Sequence, residues 1–151
     1  MKPPAWRLER DAYRHFTEIQ TRYRDEDSLR HVNNMAVAGL HDEARNRFSR
    51  VYFKLAGDIT GTRIVTVEQR VNYLAEVFHP DTVEVGCGIL KIGRSSYEIG
   101  QGLFQKGKCV GLCVAVFVSA TRSRGVSPLP ANLRAALETF RMHAPEGAEA
   151  H

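Results

Sequence analysis

The spacing of hydrophobic residues divides the chain into extended and helical segments. Apolar and polar residues alternate over residues 16–23, which predicts a first β-strand. Over residues 37–55, apolar residues recur every three or four positions, the pattern of an amphipathic helix. Asn33 and Asn34 stand where an N-cap is expected, and Gly57 provides a C-terminal stop. The predicted buried stripe of this helix consists of Val37, Leu40, Ala44, Phe48, Val51, Tyr52 and Leu55.

Most of the remaining chain consists of Val- and Ile-bearing runs that turn residues separate. These runs predict four more strands, over residues 62–77, 82–92, 96–105 and 109–120. Glycines inside the runs indicate bulges or close backbone approach, at Gly86, Gly88, Gly100, Gly102 and Gly111. After two prolines, residues 131–142 predict a short C-terminal helix.

The predicted order of elements is strand, helix, four strands, helix. This is an α+β pattern, in which one long helix packs against an antiparallel sheet. A chain of 151 residues, 43% of them hydrophobic, can bury one ordinary core but is too short to divide comfortably into two. We therefore expect a single domain over residues 1–151, with its ordered core at residues 16–142.

Composition narrows the classes of partner. The net charge of +4 is spread along the chain, which suits an anionic ligand weakly and lacks the basic stripe of a nucleic-acid-binding protein. The first residues lack the apolar segment of a signal peptide, and no run approaches the ~20 apolar residues of a membrane span. Cys87, Cys109 and Cys113 form no Cys-x-x-Cys pair, so we expect reduced, buried thiols. These features predict a cytoplasmic protein without membrane, nucleic-acid or metal partners.

Acidic and polar side chains crowd residues 23–34, between the first strand and the long helix. A carboxylate there could act as a nucleophile or as a general base on water, while the helix N-terminus stabilises an oxyanion. The same residues are also typical of a loop that only caps a helix, and that alternative stays open. A metal site at Asp25, Asp27 and His31 is less favoured, because no second ligand cluster with zinc-like spacing occurs.

This segment resembles a motif of one enzyme family. Residues 25–34, Asp-Glu-Asp-Ser-Leu-Arg-His-Val-Asn-Asn, resemble the Asp-x-Asp-x-x-Gly-His-Val-Asn-Asn motif of the 4-hydroxybenzoyl-CoA thioesterase and acyl-ACP thioesterase group of hotdog proteins. Further ordered matches extend the resemblance over nearly the whole chain, at residues 42–45, 71–74, 92–96, 106–108 and 128–134. The resemblance implies a hotdog fold, with a five-stranded antiparallel sheet wrapped around a long central helix and a short C-terminal helix. It also implies a homodimer or homotetramer with active sites at the subunit boundary.

The resemblance further implies an activity, the hydrolysis of an acyl-CoA or acyl-ACP thioester. Coenzyme A would enter only as part of the substrate, with no separate cofactor. Asp27 corresponds to the catalytic acid, and the backbone N–H near Asn34 would polarise the thioester carbonyl. His31 and Asn33 would orient water or the acid, although capping and loop closure are their alternative roles. The residues expected to contact substrate or coenzyme A are Tyr23, Arg94, Ser95 and Ser96.

Several positions depart from the family pattern. Arg30 replaces a glycine, so we expect a different bend there or a charge at the pocket mouth. Val37 replaces an aromatic residue and Gly39 a bulkier one, which predicts a differently shaped acyl pocket. Another branch of the superfamily takes its acid from the central helix, which keeps Glu43 as a second catalytic candidate. As a purely structural residue, Glu43 would instead be a buried, hydrogen-bonded acid.

Two other functions belong to the same fold. A non-catalytic acyl-CoA-binding or regulatory module would keep the pocket without turnover, but it has no chemical need for Asp27. A hydratase would pair an acid with a histidine at another spacing, which Asp27 and His31 do not match.

Overall fold

The structure, a computed structural model, describes residues 2–151 and contains a curled antiparallel sheet with one long helix against it. Its strands are β1 (His15–Gln20), β2 (Thr62–Tyr73), β3 (Thr82–Ile92), β4 (Ser96–Gln105), β5 (Lys108–Thr121) and β6 (Gly125–Val126). The five long strands lie in the order β1-β3-β4-β5-β2, and β6 pairs with the end of β5. The expected five-stranded sheet is confirmed, and β6 is a short addition that the sequence analysis did not predict.

The long helix α1 (Asn34–Ala56) begins and ends at the predicted caps. The Asn33 side chain accepts the N–H of Ala36 at 2.9 Å, which satisfies one of the free donors of the first turn. At the other end Gly57 has φ +85°, in the left-handed region that glycine adopts without steric cost. The C-terminal helix α2 (Ala131–Thr139) packs against α1.

The main core lies between α1 and the inner face of the sheet. Phe48 of α1 is fully buried and contacts the ring of Tyr52 edge-on at 5.2 Å between centroids. Tyr52 is hydrogen-bonded to Tyr97 of β4 through their hydroxyls at 2.7 Å, so neither buried hydroxyl is left without a partner. Burying each such large side chain contributes about 1.5–3 kcal/mol, which fixes α1 on the sheet.

The buried stripe of α1 differs from the prediction at two positions. Val51 and Leu55 are 37% and 56% exposed, whereas His41 and Arg45 are buried. Arg45 is accommodated because its guanidinium donates to the Gln101 side-chain oxygen at 2.8 Å, within a polar cluster beneath the helix. Hydrophobic periodicity cannot detect a polar contact of this kind. The predicted stripe therefore included Val51 and Leu55 and missed His41 and Arg45.

The outer face of the sheet is covered by the two ends of the chain. A Cβ added at Gly86 or Gly102 would lie 2.8 Å from atoms of Tyr13, and one at Gly88 would lie 2.5 Å from Met142. Only glycine therefore lets Tyr13 and Met142 lie flat on the strands. The predicted close approach is confirmed at Gly86, Gly88, Gly100 and Gly102.

Element boundaries shift at three places. The first strand ends at Gln20 instead of residue 23, because residues Tyr23–Asp25 form a 3₁₀ turn. Strand β2 ends at Tyr73 instead of residue 77, because the next two N–H groups both donate to the Val110 carbonyl and bend the chain. Helix α2 ends at Thr139 instead of residue 142. Two 3₁₀ turns, Ala5–Leu8 and Arg10–Ala12, were not predicted.

The cysteines are unpaired, with Cys87 and Cys113 buried and Cys109 half-buried. Burial raises the pKa of the Cys87 thiol to about 12, so this thiol stays protonated and acts as a small core residue. Among residues 2–151, no helix has both the length and the hydropathy that a membrane crossing requires.

Candidate active site

A groove of about 850 Å³ opens at the N-terminal end of α1. Three segments form it: the loop before the helix, the first turn of α1, and the stretch that follows β2. Asp27, His31, Asn33 and Asn34 all line this groove. The structure therefore brings together the catalytic candidates that precede and begin α1.

Asp27 lies in a tight loop that its own carboxylate helps to close. Glu26 and Val32 form an antiparallel bridge across the base of the loop. The Asp27 Oδ1 accepts the backbone N–H groups of Leu29 at 2.9 Å and His31 at 3.4 Å. No donor among residues 2–151 bonds to Oδ2. One carboxylate oxygen thus fixes the loop, and the other is available for chemistry.

Arg30, where the family has glycine, keeps a glycine-type backbone conformation. Its φ of +63° lies in the left-handed region, and its N–H donates to the Asp27 carbonyl at 3.0 Å. A side chain in this region costs about 1–2 kcal/mol. Arg30 is not among the residues that line the groove. Its side chain is exposed between Leu29 and His31, which do line the groove, so the expected change of bend or charge at the pocket mouth stays a prediction.

The first turn of α1 presents free backbone donors to the groove. Asn33 is the N-cap, and its side-chain amide also donates to the Asp25 carbonyl at 2.8 Å. The first helical bond runs from Val37 N–H to the Asn33 carbonyl at 3.0 Å. The N–H groups of Asn34 and Met35 have no acceptor within residues 2–151. Together with the helix dipole, they form a site suited to negative charge.

Asp25, the first acid of the motif, is a structural residue. It is buried and forms an ion pair with Arg22 at 2.8 Å. The hydrogen bond from Arg22 lowers the pKa of this carboxyl. Its backbone carbonyl accepts both the N–H and the side-chain amide of Asn33. Asp25 therefore ties the loop to the helix cap and leaves Asp27 as the accessible acid.

The walls of the groove include residues that the sequence analysis did not single out. The Tyr73 hydroxyl donates to the Asn34 carbonyl at 3.2 Å and links the end of β2 to α1. Leu29 and Met35 are 70% and 86% exposed and provide apolar surface beside Asp27. The His31 ring lies edge-on to Phe78 at 5.6 Å. The family match over residues 71–74 was the signal that could have identified Tyr73.

Five predicted site residues lie outside this groove, and Tyr23 and Glu43 are two of them. Tyr23 is 80% exposed and contacts only the His79 ring among the aromatic residues described, edge-on at 6.3 Å. Glu43 lines a different groove between β1 and α1, where it forms an ion pair with Arg47 at 3.0 Å. The expectation that Glu43 is a buried helix acid is wrong, since its side chain is 47% exposed. The exposed helix face lets it pair with Arg47 one turn away.

Arg94 and Ser95 lie in the connection between β3 and β4, and Ser96 is the first residue of β4, at the far end of the sheet. Ser96 pairs with Val118 of β5, which on its other side pairs with Val65 of β2, so Ser96 and Val65 lie at the same height in the sheet. The groove lies at the height of Tyr73. Eight residues of strand separate these levels, a distance of about 26 Å. Within one chain, the predicted coenzyme A segment and Asp27 are therefore not brought together.

No group of three or more His, Cys, Asp or Glu side chains in the described part of the chain is arranged to hold a metal ion. The groove contributes the free carboxylate oxygen of Asp27, the free N–H groups of Asn34 and Met35, and apolar walls, with the exposed carboxylate of Glu76 on the opposite segment. This combination suits attack on an activated carbonyl.

Comparison with known proteins identifies the family. Residues 21–137 match the family model of the Thioesterase-like superfamily. The chain belongs to this superfamily. The matched region contains the Asp27 loop, α1 and strands β2 to β5, so membership covers the whole groove. No curated protein matches the chain in sequence.

Solved structures share the fold over nearly its full length. A protein from Pseudomonas aeruginosa strain PAO1 is 29% identical with a TM-score of 0.76, over 90% of this chain and 97% of that chain. A thioesterase from Thermus thermophilus, complexed with coenzyme A and Zn, is 26% identical with a TM-score of 0.73, over 85% and 95%. A predicted thioesterase from Bacillus stearothermophilus, 22% identical with a TM-score of 0.75 over 86% and 98%, supports the fold alone. This thioesterase-like chain therefore has the hotdog fold.

Proposed function

We propose that this chain hydrolyses an acyl-CoA thioester, with Asp27 as its catalytic carboxylate. The observation that carries the proposal is the position of Asp27 in one groove with the free N–H groups of the first turn of α1. A base or nucleophile and an oxyanion site are the two parts that acyl transfer to water requires.

In the proposed reaction, the thioester carbonyl oxygen lies at the N–H of Asn34 or Met35. Asp27 Oδ2 then either attacks the carbonyl carbon to form a mixed anhydride or removes a proton from an attacking water. In both routes the C–S bond breaks, water supplies the new oxygen, and the products are a free acid and a thiol. The free N–H groups stabilise the negative charge that develops on the carbonyl oxygen.

His31 and Asn33 act by positioning in this proposal, whereas Asn34 contacts the substrate. The His31 N–H helps to hold the Asp27 carboxylate, and Asn33 fixes the start of α1 through its cap. Asn34 contributes its backbone N–H, while its carbonyl is held by Tyr73. Leu29 and Met35 offer apolar surface to the acyl group.

We further propose a dimer formed through β2. This strand is twelve residues long, lies at the edge of the sheet, and exposes Val65 and Val67 by 38% and 58%. A long edge strand with exposed apolar residues is normally covered by another chain. If two β2 strands pair in antiparallel fashion, the partner's sheet runs in the opposite direction. The end of the partner's sheet that carries its Arg94 segment then lies beside the end of this sheet that carries Tyr73.

Such a dimer gives the Arg94 segment a role. In one chain it lies at the far end of the sheet from Asp27, but the partner's copy of the segment would lie at the same end as the groove. Arg94 is exposed and has no ion-pair partner among residues 2–151. Its guanidinium suits a nucleotide phosphate. The coenzyme A complex of the Thermus thermophilus thioesterase favours coenzyme A over a carrier protein.

The test is thiol release from a panel of aromatic and aliphatic acyl-CoA esters, with the matched acyl-ACP esters as a second arm. The purified chain should turn over at least one acyl-CoA ester, and Arg94→Met should raise KM for acyl-CoA but not for a pantetheine ester that lacks the nucleotide. Binding of acyl-CoA without turnover of any ester would refute hydrolysis and favour a binding module. An equal rise in KM of Arg94→Met for the acyl-CoA ester and for the pantetheine ester would refute the role of Arg94.

A further inference from the structure

We propose that the outer face of the sheet carries a second binding site, which takes a small carboxylate with an apolar body. The site is a cavity of about 240 Å³ between the N-terminal residues and strands β2 and β5. It is independent of the proposed hydrolysis, because it lies on the face of the sheet opposite α1.

The position of the cavity follows from strand alternation. Gln69 of β2 bonds to Arg45 of α1 and therefore points to the inner face. Its neighbours Arg70 and Asn72 point to the outer face, where both line the cavity. On β5, Leu112 and Val114 pair with Asn72 and Arg70 and line the same cavity.

Arg7 is the feature that indicates an anion. It lines the cavity, is only 3% exposed, and forms no ion pair with any carboxylate among residues 2–151. Its Nη2 donates to the carbonyls of Cys113 at 3.1 Å and Gln101 at 3.4 Å, but its buried Nε has no acceptor in the described part of the chain. A buried charge without a counterion is costly. An anion in the cavity would supply the missing charge.

The other cations around the cavity are either paired or exposed. Arg70 forms an ion pair with Glu68 at 2.8 Å and also contacts His151 at 3.2 Å. His151 in turn contacts Glu98 at 3.2 Å. Lys2 is exposed at the rim. None of the side chains that line the cavity is acidic, so one unpaired buried side-chain charge, that of Arg7, remains to be matched.

One buried charge with apolar walls defines the ligand class. Pro3, Pro4, Leu112 and Val114 provide apolar contact, while Asn72 adds a polar amide. A monoanion balances Arg7, whereas a dianion such as phosphate would bring a second charge that the apolar walls cannot solvate. The volume equals roughly eight water molecules at liquid density, which suits an anion such as hexanoate or benzoate.

The experiment is calorimetric titration of the full chain with hexanoate and benzoate. Hexanol, which has the apolar body without the charge, and inorganic phosphate, which has charge without the apolar body, are the controls. Methyl NMR of Leu112 and Val114 locates the site, and Val77 reports on the Asp27 groove in the same spectra. We expect carboxylate binding that shifts Leu112 and Val114. Hexanol and phosphate should bind at least about tenfold more weakly, a difference of about 1.4 kcal/mol.

Variants separate this site from the groove. Arg7→Met should weaken carboxylate binding at least about tenfold and leave thiol release unchanged, whereas Arg7→Lys, which keeps the charge, should retain part of the affinity. Any of three results would overturn the proposal. They are a carboxylate titration that shifts only the Val77 signals, a carboxylate affinity of Arg7→Met equal to that of the wild type, and phosphate binding as tight as hexanoate binding. If Arg7→Met does not fold, the methyl shifts and the ligand series of the wild type decide. Failure of thioester hydrolysis alone would leave these results unaffected.

Discussion

The carboxylate of Asp27 accepts the backbone N–H of Leu29 at 2.9 Å, so the proposed catalytic acid also holds its own loop. This double use determines which substitution is informative. Alanine at position 27 would remove both the chemistry and the loop bond. Asparagine keeps an acceptor oxygen for Leu29 and removes only the carboxylate charge and basicity.

Asn33 should be the most sensitive position of the helix start. Its side chain accepts the Ala36 N–H and donates to the Asp25 carbonyl, so Asn33→Ala should lower the free energy of unfolding by about 1–2 kcal/mol. Asn33→Asp keeps the cap and should lower the free energy of unfolding by less than Asn33→Ala does. Urea denaturation measures both, with Asn34→Ala as the exposed control. A loss for Asn34→Ala equal to that for Asn33→Ala would show that the side-chain cap is not the cause.

Arg30→Gly should stabilise the protein. Arg30 has φ +63°, and glycine at this position removes a steric cost of about 1 kcal/mol. Ser28→Gly is the matched control, because within residues 2–151 only Arg30 and Lys106 are non-glycine residues with positive φ. We expect Ser28→Gly to be neutral or slightly destabilising in the same denaturation series. A decrease in stability for Arg30→Gly would mean that its side chain makes contacts that outweigh the strain.

His41 should make folding sensitive to acid. Burial, with the charges of Arg45 and Arg7, lowers the pKa of His41 to about 3, against 6.5 for an unperturbed histidine. Between these pH values the unfolded chain binds one more proton than the folded chain, so stability falls as the pH drops below 6.5. The loss attributable to His41 should reach about 2 kcal/mol at pH 5.

His41→Leu provides the comparison for this pH dependence. It removes the titrating ring and two buried ring nitrogens that have no hydrogen-bond partner among the described residues, while His15, whose pKa burial also lowers, remains. The free energy of unfolding, measured in urea at pH 7.5 and pH 5, should change less for His41→Leu than for the wild type. Parallel pH profiles for the two proteins would exclude His41 as the source.

The helix acid Glu43 should be dispensable. Its side chain is 47% exposed and, within residues 2–151, paired only with Arg47, one turn along α1. Glu43→Gln should change stability by less than about 0.5 kcal/mol, because an exposed pair of this kind contributes little. Thiol release should stay within about threefold of the wild type, a barrier change below 1 kcal/mol. A loss comparable to that of an Asp27 variant would move catalysis to the helix.

The sheet and the long helix could be predicted from the sequence because their signals are local. The strands predicted over residues 82–92 and 96–105 have the bounds of β3 and β4, since Val- and Ile-bearing runs and the turn residues that flank them both mark the strands. The caps Asn33 and Gly57 were likewise identifiable from residue type and position. Local pattern and tertiary packing agree at these places.

The remaining features depend on tertiary contacts that no local pattern encodes. Arg45 is buried because Gln101, 56 residues away, accepts its hydrogen bond. The strand glycines revealed close approach but not its source, since Tyr13 lies in a segment without a predicted element and Met142 was placed at the end of the predicted C-terminal helix. Strand β2 ends early because the Val110 carbonyl accepts the N–H groups of residues 74 and 75.

The site residues likewise differ in whether they are close in sequence or are brought together by tertiary contacts. Asp27, His31, Asn33 and Asn34 are close in sequence, so one motif was enough to predict that they share a groove. Tyr73 reaches Asn34 from 39 residues away and was not recognised as a site residue. The Arg94 segment matched the family but lies at the far end of the sheet in one chain, and its proposed role depends on a partner subunit.

The most direct test of the account is the single-turnover hydrolysis rate of Asp27→Asn on the best acyl-CoA ester, measured beside its Kd for that ester. Because asparagine preserves the bond to Leu29, the thermal unfolding midpoint and Kd should stay near the wild-type values. The rate should fall by about 1,000-fold, as expected when a catalytic base or nucleophile is removed. A rate within about threefold of the wild type, at unchanged Kd, would contradict catalysis by Asp27.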